Sequence, residues 1–167
     1  MGREVEEELR AFVAARFPHL RRTAYLLCGD WHRADDLVQT ALARVVVAAR
    51  RRTVDNLEAY ARTTLLRTFL DDNRRLWRRR EWSSPECQDT PVPARDPTVA
   101  LAVLAALRSL PPRQRAVVVL RYWEDRSVEE TAEALDINAG TVKSQCAKAL
   151  AALRQALAEL RPELTML

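Results

Sequence analysis

Apolar residues recur along this chain at intervals of three and four, the period of an α-helix, almost from end to end. Leu9, Phe12, Val13, Arg16, Leu20, Ala24 and Leu27 form a first stripe, which Pro18 should kink or break and Gly29 should stop. Asp30 offers an N-cap to a second helix, with Ala34, Leu37, Val38, Ala41, Leu42, Val45 and Ala48 on one face. After the basic break Arg50-Arg51-Arg52-Thr53, a third helix is predicted from near Asp55. Its stripe is Leu57, Tyr60, Ala61, Thr64, Leu65, Thr68, Phe69 and Leu76. The valine triplets 45–47 and 117–119 suit short strands, but each lies inside a longer helical stripe.

Between Glu81 and Pro97 the pattern vanishes, and four of the eight prolines stand there among serines and acids. Such a segment reads as an extended tether. Periodicity resumes with Ala100, Val103, Leu104 and Leu107, breaks at Pro111-Pro112, and continues through Ala116, Val117, Leu120 and Trp123. Ser127 with Glu130 three residues later forms a capping box for a short helix. Asp136-Ile137-Asn138 makes a turn. A last helix is predicted from near Gly140 to about Glu159, with Val142, Cys146, Ala149, Leu153, Ala156 and Leu160 as its stripe. The expected fold is all-α: two small helical domains, residues 5–82 and 98–160, joined by a Pro-rich linker over 83–97.

Residues 127–150, SVEETAEALDINAGTVKSQCAKAL, have the spacing of a helix-turn-helix. Ala132 is the small residue expected to let the helices cross closely, with Leu135, Ile137 and Val142 filling the angle. Thr141, Lys143, Ser144, Gln145 and Lys148 then fall on the outer face of the second helix. A recognition helix needs polar groups there to reach base edges and phosphates. An ordinary helical corner would explain the apolar residues equally well, but not that concentration of donors.

Charge strengthens this picture. The 167 residues carry 27 Lys+Arg against 23 Asp+Glu, a formal net charge of +4. The excess is uneven: residues 1–82 hold 17 positive and 12 negative side chains. Arg62, Arg67, Arg74, Arg75, Arg78, Arg79 and Arg80 crowd into 19 residues opposed only by Asp71 and Asp72. A polyanionic partner is implied. With only 3 glycines, a Gly-rich phosphate loop is excluded, and the longest apolar run, Val99–Leu107, is too short to span a membrane. The chain also opens without a secretory signal pattern, so a soluble cytoplasmic protein without membrane insertion is expected. Cys28, Cys87 and Cys146 form no disulfide framework. Cys28 and His32 stand four apart with no second ligand pair, so neither a metal nor a cofactor is expected. No nucleophile–base arrangement is present, and an enzyme is not expected.

At these residues a resemblance emerges. Val128 to Leu153, preceded by LRSLPPRQRAVVVLRYWED over 107–125, resembles region 4 of RNA polymerase sigma factors of the extracytoplasmic-function (ECF) subfamily. YLLCGDWHRADDLVQTALARV over 25–45 resembles region 2. The resemblance covers roughly residues 10–155. It implies a factor that binds core RNA polymerase, directs it to promoters and helps open the minus-10 element. Asp35, Asp36, Leu37, Val38 and Gln39 would dock on the clamp helices of the polymerase. Arg52, Asn56 and Tyr60 would hold an extruded minus-10 base, while Arg62, Arg67, Arg74, Arg75, Trp77, Arg78 and Arg79 would track the non-template single strand. Thr141, Lys143, Ser144, Gln145 and Lys148 would read the minus-35 duplex.

Two departures stand out. Asp35 replaces the commoner glutamate, and Gln145 stands where arginine is frequent. The subfamily commonly has an anti-sigma factor, a further candidate partner. Trp31, Trp82 and Trp123 are left as core or interface residues. The rival readings are a stand-alone helix-turn-helix regulator and a helical adaptor. Coiled-coil heptads and a ligand-pocket signature, which the first would need, are absent from the sequence, and the adaptor leaves the arginine run unexplained.

Overall fold

A computed structural model of the chain describes residues 2–82 and 99–160, apart from the side chains of 80–82. The tether expected over 83–97 lies outside the described residues. Every described element is helical: α1 (Gly2–Cys28), α2 (Trp31–Arg51), α3 (Leu57–Trp82), α4 (Val99–Ser109), α5 (Pro112–Val118) with a π-helical turn (Val119–Trp123), α6 (Val128–Leu135) and α7 (Ala139–Leu160). The chain divides into two compact units, Met1–Phe69 and Leu70–Leu167, and α3 runs through the division.

In the first unit, α1 and α2 form an antiparallel pair. Gly29 turns the chain at φ 72°, a left-handed conformation that glycine adopts without Cβ strain. Its N–H closes α1 onto the Tyr25 carbonyl at 2.7 Å. Asp30 caps α2, its carboxylate accepting the Arg33 N–H at 3.0 Å. The predicted α2 stripe is the buried one: Ala34, Leu37, Val38, Ala41, Leu42 and Val45 all face inward. They meet Leu9, Leu20, Thr23, Ala24 and Leu27 from α1 and Ala61, Leu65, Leu66 and Phe69 from α3. Pro18 does not break α1. Pro18 and Ala14, whose carbonyl loses its bond to the missing N–H, both lie on the exposed face, where a carbonyl without an intrahelical partner is not buried. The third helix starts at Leu57, two residues later than predicted, because Asn56 accepts the Ala59 N–H at 3.0 Å and acts as the cap. Leu76 is exposed rather than part of the core stripe.

The second unit is built around α5 and its π-helical continuation. Ala116, Val117, Val118, Val119 and Leu120 are consecutively buried, so the chain is covered all round where α5 passes into the π turn. Trp123, placed on that stripe by periodicity, emerges half-exposed instead. The capping box forms as expected, with Ser127 Oγ accepting the Glu130 N–H at 3.0 Å. Glu130 Oε2 accepts the Ser127 N–H at 2.8 Å. The turn of the helix-turn-helix is 136–138, with Asp136 at φ 53° closing α6. Thr131 and Ala134 are the buried residues of α6, whereas Ala132 is half-buried, so the close crossing uses the former pair. In α4 the predicted stripe is partly out of phase: Leu107 is buried as expected and Leu104 half-buried. Ala102, Ala106 and Leu107 are buried while Ala100 and Val103 are exposed, because a helix apolar on all sides carries no phase information.

Leu65→Ala should lower the stability of the first unit by about 2–5 kcal/mol, as expected for a fully buried leucine. Ser127→Ala should cost the second unit about 1 kcal/mol through its cap. Urea titrations followed by circular dichroism check both.

Candidate nucleic-acid and partner interfaces

The first candidate face lies on α2. Of its five predicted residues, Asp36 and Gln39 are exposed, Asp35 is half-buried, and Leu37 and Val38 are core residues. The acidic–apolar face read from sequence is therefore corrected: the two apolar members hold the bundle together and are covered. Helical geometry places Thr40, Ala43 and Val47 four, seven and eleven residues beyond Asp36, on the same side. All three are exposed, Val47 at 47%. Sequence reading missed these three. The signal was Val47 standing outside the buried stripe.

Asp35 is engaged within the chain. Arg21 donates to both its carboxylate oxygens, from Nε at 2.5 Å and from Nη2 at 3.3 Å. These hydrogen bonds, and then the guanidinium charge, hold the Asp35 carboxyl below the ordinary aspartate range. The same guanidinium sits over the Trp31 ring, Cζ 4.3 Å from the centroid, and Trp31 stacks on Tyr25 at 3.8 Å and 2°.

The second face begins in the loop between α2 and α3. Arg52 lies over the Tyr60 ring, Cζ 5.4 Å from its centroid, and leaves a cationic and an aromatic group side by side at the loop. Asn56 is exposed but its oxygen is committed to the α3 cap, so only its amide N–H groups remain for a ligand. Arg62 departs from expectation. Its side chain is 12% exposed and pairs with Glu58 at 3.9 Å, and Glu58 also takes Arg16 at 2.6 Å. It is part of the packing of α1 on α3 and is not available to follow a nucleic-acid backbone. Arg67, Arg74, Arg75, Arg78 and Arg79 are exposed on α3, and Trp77 among them is 65% exposed.

The third face is the outer side of α7. Asn138, which sequence reading treated only as a turn residue, is its cap: Oδ1 accepts the Thr141 N–H at 2.7 Å and the Thr141 hydroxyl at 2.9 Å. Thr141 is thus half-buried and turned to the cap rather than outward. A Cβ at Gly140 would stand 3.3 Å from Asn138 Oδ1, an atom already held by two donors, and would press the cap by a few tenths of an ångström. Lys143, Ser144 and Lys148 are exposed, and Gln145 is half-buried at the edge of the face. Ala147, Ala151 and Arg154 continue the exposed stripe. The Cys146 thiol donates to the Tyr122 hydroxyl oxygen at 3.8 Å, from the side of α7 that also bears Val142 and Ala149. Among the described residues, no group of His, Cys, Asp and Glu side chains could hold a metal ion.

The chain thus holds a helical unit, a helix-turn-helix unit and, on the part of α3 beyond the division, an exposed basic segment that bears Trp77. Residues 12–79 match the family model of Sigma-70 region 2, and residues 100–153 match that of Sigma-70, region 4. The RNA polymerase sigma-E factor of Streptomyces coelicolor is 39% identical over 158 residues, covering 90% of this chain and 86% of the relative. The ECF RNA polymerase sigma factor SigM of Mycobacterium tuberculosis is 34% identical over 145 residues, covering 84% of this chain and 72% of its own. The fold is also that of the sigma factor RpoE from Bartonella quintana, solved with the anti-sigma factor NepR. That structure has a TM-score of 0.72 and 24% identity, and covers 90% of this chain and 97% of RpoE. This chain belongs to the ECF family of RNA polymerase sigma factors.

Two outcomes are expected. Because the Asp35 pKa is depressed, the pair with Arg21 is fully present above the unfolded value of about 3.9 and is lost as pH falls through the lower folded value. The Trp31 contribution to fluorescence, taken as the difference from Trp31→Phe, should therefore change only below about pH 3.9. Asn138→Ala should cost about 1 kcal/mol by thermal unfolding and leave Thr141 without its hydroxyl acceptor.

Proposed function

We propose a division of labour between the parts of this sigma factor. The outer side of α2, with Asp36, Gln39, Thr40 and Val47, docks on the clamp helices of core RNA polymerase. Arg52, Tyr60 and the free amide of Asn56 receive a minus-10 base extruded from the duplex. Unstacking costs a few kcal/mol, which contacts to the flipped base offset. Arg67, Arg74, Arg75, Arg78 and Arg79 follow the non-template strand, and Trp77 supplies a stacking surface. On α7, Lys143, Ser144 and Lys148, with Gln145 at the rim, enter the major groove of the minus-35 element.

The observation that carries this reading is the coincidence of phase. On α3 Arg67, Arg74, Arg75, Arg78 and Arg79, and on α7 Lys143 and Lys148, lie on the side left over after burial. On α2 that side holds Asp36, Gln39, Thr40, Ala43 and Val47 together with Arg44, and Arg50 and Arg51 follow in its last turn, so acidic, polar, apolar and basic groups are mixed there. The mixed surface suits a protein, and the two arginine- and lysine-bearing ones suit phosphates. The functional modules in this reading are residues 5–82 and 98–160, with 83–97 as the tether between them. The chain contributes binding and strand separation, with no chemistry of its own, and works beside polymerase in the cytoplasm. Among the described residues no helix is long and apolar enough to cross a membrane, which is in keeping with that setting. The complex of RpoE with NepR supports an anti-sigma factor as a second protein partner here.

Replacing Lys143 and Ser144 by Ala should weaken holoenzyme binding to minus-35 duplex. Each lost phosphate contact should reduce the log–log salt slope by about one. Replacing Arg74 and Arg75 should leave that binding in place and slow open-complex formation, read by permanganate footprinting. Failure of both variants at the same step would contradict the division. Anisotropy titrations without core polymerase should show weak, nonselective promoter binding, since two modest DNA sites gain avidity only when their separation is fixed. Tight, sequence-specific binding by the free chain would favour a stand-alone regulator.

A further inference from the structure

We propose that Arg21 and Asp35 are a positioning pair that sets the rotation of the first turns of α2. Asp35 thereby aligns the polymerase-docking face without touching polymerase itself. The proposal rests on the docking role of Asp36 and Gln39 argued above.

Four side chains from two helices are linked in series. Tyr25 and Arg21 stand one turn apart on α1, and Trp31 and Asp35 stand one turn apart on α2. Trp31 stacks on Tyr25 and lies beneath the Arg21 guanidinium, whose donors reach both oxygens of Asp35. The indole therefore has both a stacked phenol ring at 3.8 Å and a guanidinium at 4.3 Å as neighbours from α1. It is nonetheless 41% exposed. Arginine suits this place because its planar group stacks on an indole while forking onto a carboxylate, which lysine cannot reproduce.

The linkage fixes an angle. On a helix, neighbouring residues are about 100° apart, so an anchored Asp35 dictates where Asp36 points, and Gln39 and Thr40 with it. Side-chain tips lie roughly 5 Å from the axis, and a 10° rotation there moves them by about 1 Å. The buried stripe of Ala34, Leu37, Val38 and Ala41 sets the inward side of α2, and the Arg21–Asp35 fork ties the first turns beside that stripe to α1. Asp36 has no such tie, which leaves its carboxylate for a partner.

A double-mutant cycle in core-polymerase binding tests this, using the full chain and fluorescence competition. Arg21→Ala and Asp35→Ala should each weaken binding by roughly tenfold, and the double variant no further, because both remove one linkage. Arg21→Lys should recover only part of the loss. The Trp31 emission, referenced to Trp31→Phe, should shift in both single variants. Losses that multiply in the double variant would mean that Asp35 contacts polymerase directly, and native-like binding by the single variants would mean that the pair positions nothing. Either result overturns the proposal. Asp36→Ala is the separate arm. If it binds as the native chain does, the docking reading falls and takes this proposal with it, whereas a loss at Asp36 with multiplying effects at Arg21 and Asp35 overturns the positioning role alone.

Discussion

The inward commitment of Ala34, Leu37, Val38, Ala41, Leu42 and Val45 is the constraint on which the first unit depends. A helix between two others has one broad side to bury, and burying these six excludes them from every other task. Complete burial of Leu37 or Val38 is worth roughly 1.5–3 kcal/mol each, more than either could regain at the rim of an interface. What remains for recognition is the opposite side, from Asp36 through Val47. The sign of the surface then follows from which residues the sequence set out of phase with the stripe.

The same logic separates the arginines. Arg62 falls on the packed side of α3 and finds Glu58, while Arg74, Arg75, Arg78 and Arg79 are exposed. A neutralised, largely buried guanidinium serves architecture, and an exposed cluster around Trp77 serves a polyanion. At the helix starts a second constraint operates. Asp30, Asn56, Ser127 and Asn138 each satisfy backbone donors that would otherwise be orphaned. In doing so they fix the entry angles of α2, α3, α6 and α7, the four helices that carry or support the proposed sites. Asn138 and Asn56 are thus structural first, although both sit within a few residues of groups assigned to DNA.

Much of this was legible in the sequence. The α2 stripe, the αL glycine, the capping box and the three-residue turn of the helix-turn-helix follow from local rules that tertiary packing did not override. The family resemblance rested on the same segments. Other features were not local. Periodicity cannot orient α4, where Val99–Leu107 is apolar all round, nor foresee the π turn into which α5 passes. Pro18 leaves α1 unbroken, and the carbonyl that it orphans, that of Ala14, is on the exposed face. Pairings such as Arg21 with Asp35, or Arg16 with Glu58, join residues 14 and 42 positions apart and become visible only when the helices are packed. Leu37, Val38 and Arg62 were assigned to interfaces by residue type, when their phase relative to the buried stripe decides their role.

The central claim is that the outer side of α2 takes polymerase, whereas the basic sides of α3 and α7 take promoter DNA. Hydroxyl-radical footprinting of the full chain, read by mass spectrometry first with core polymerase and then with promoter added, tests it most directly. The account predicts that core polymerase alone protects Gln39 and Val47, and that Trp77 and Lys148 lose reactivity only when DNA joins. Protection of Lys148 by core polymerase without DNA, with Val47 as reactive as in the free chain, would contradict it.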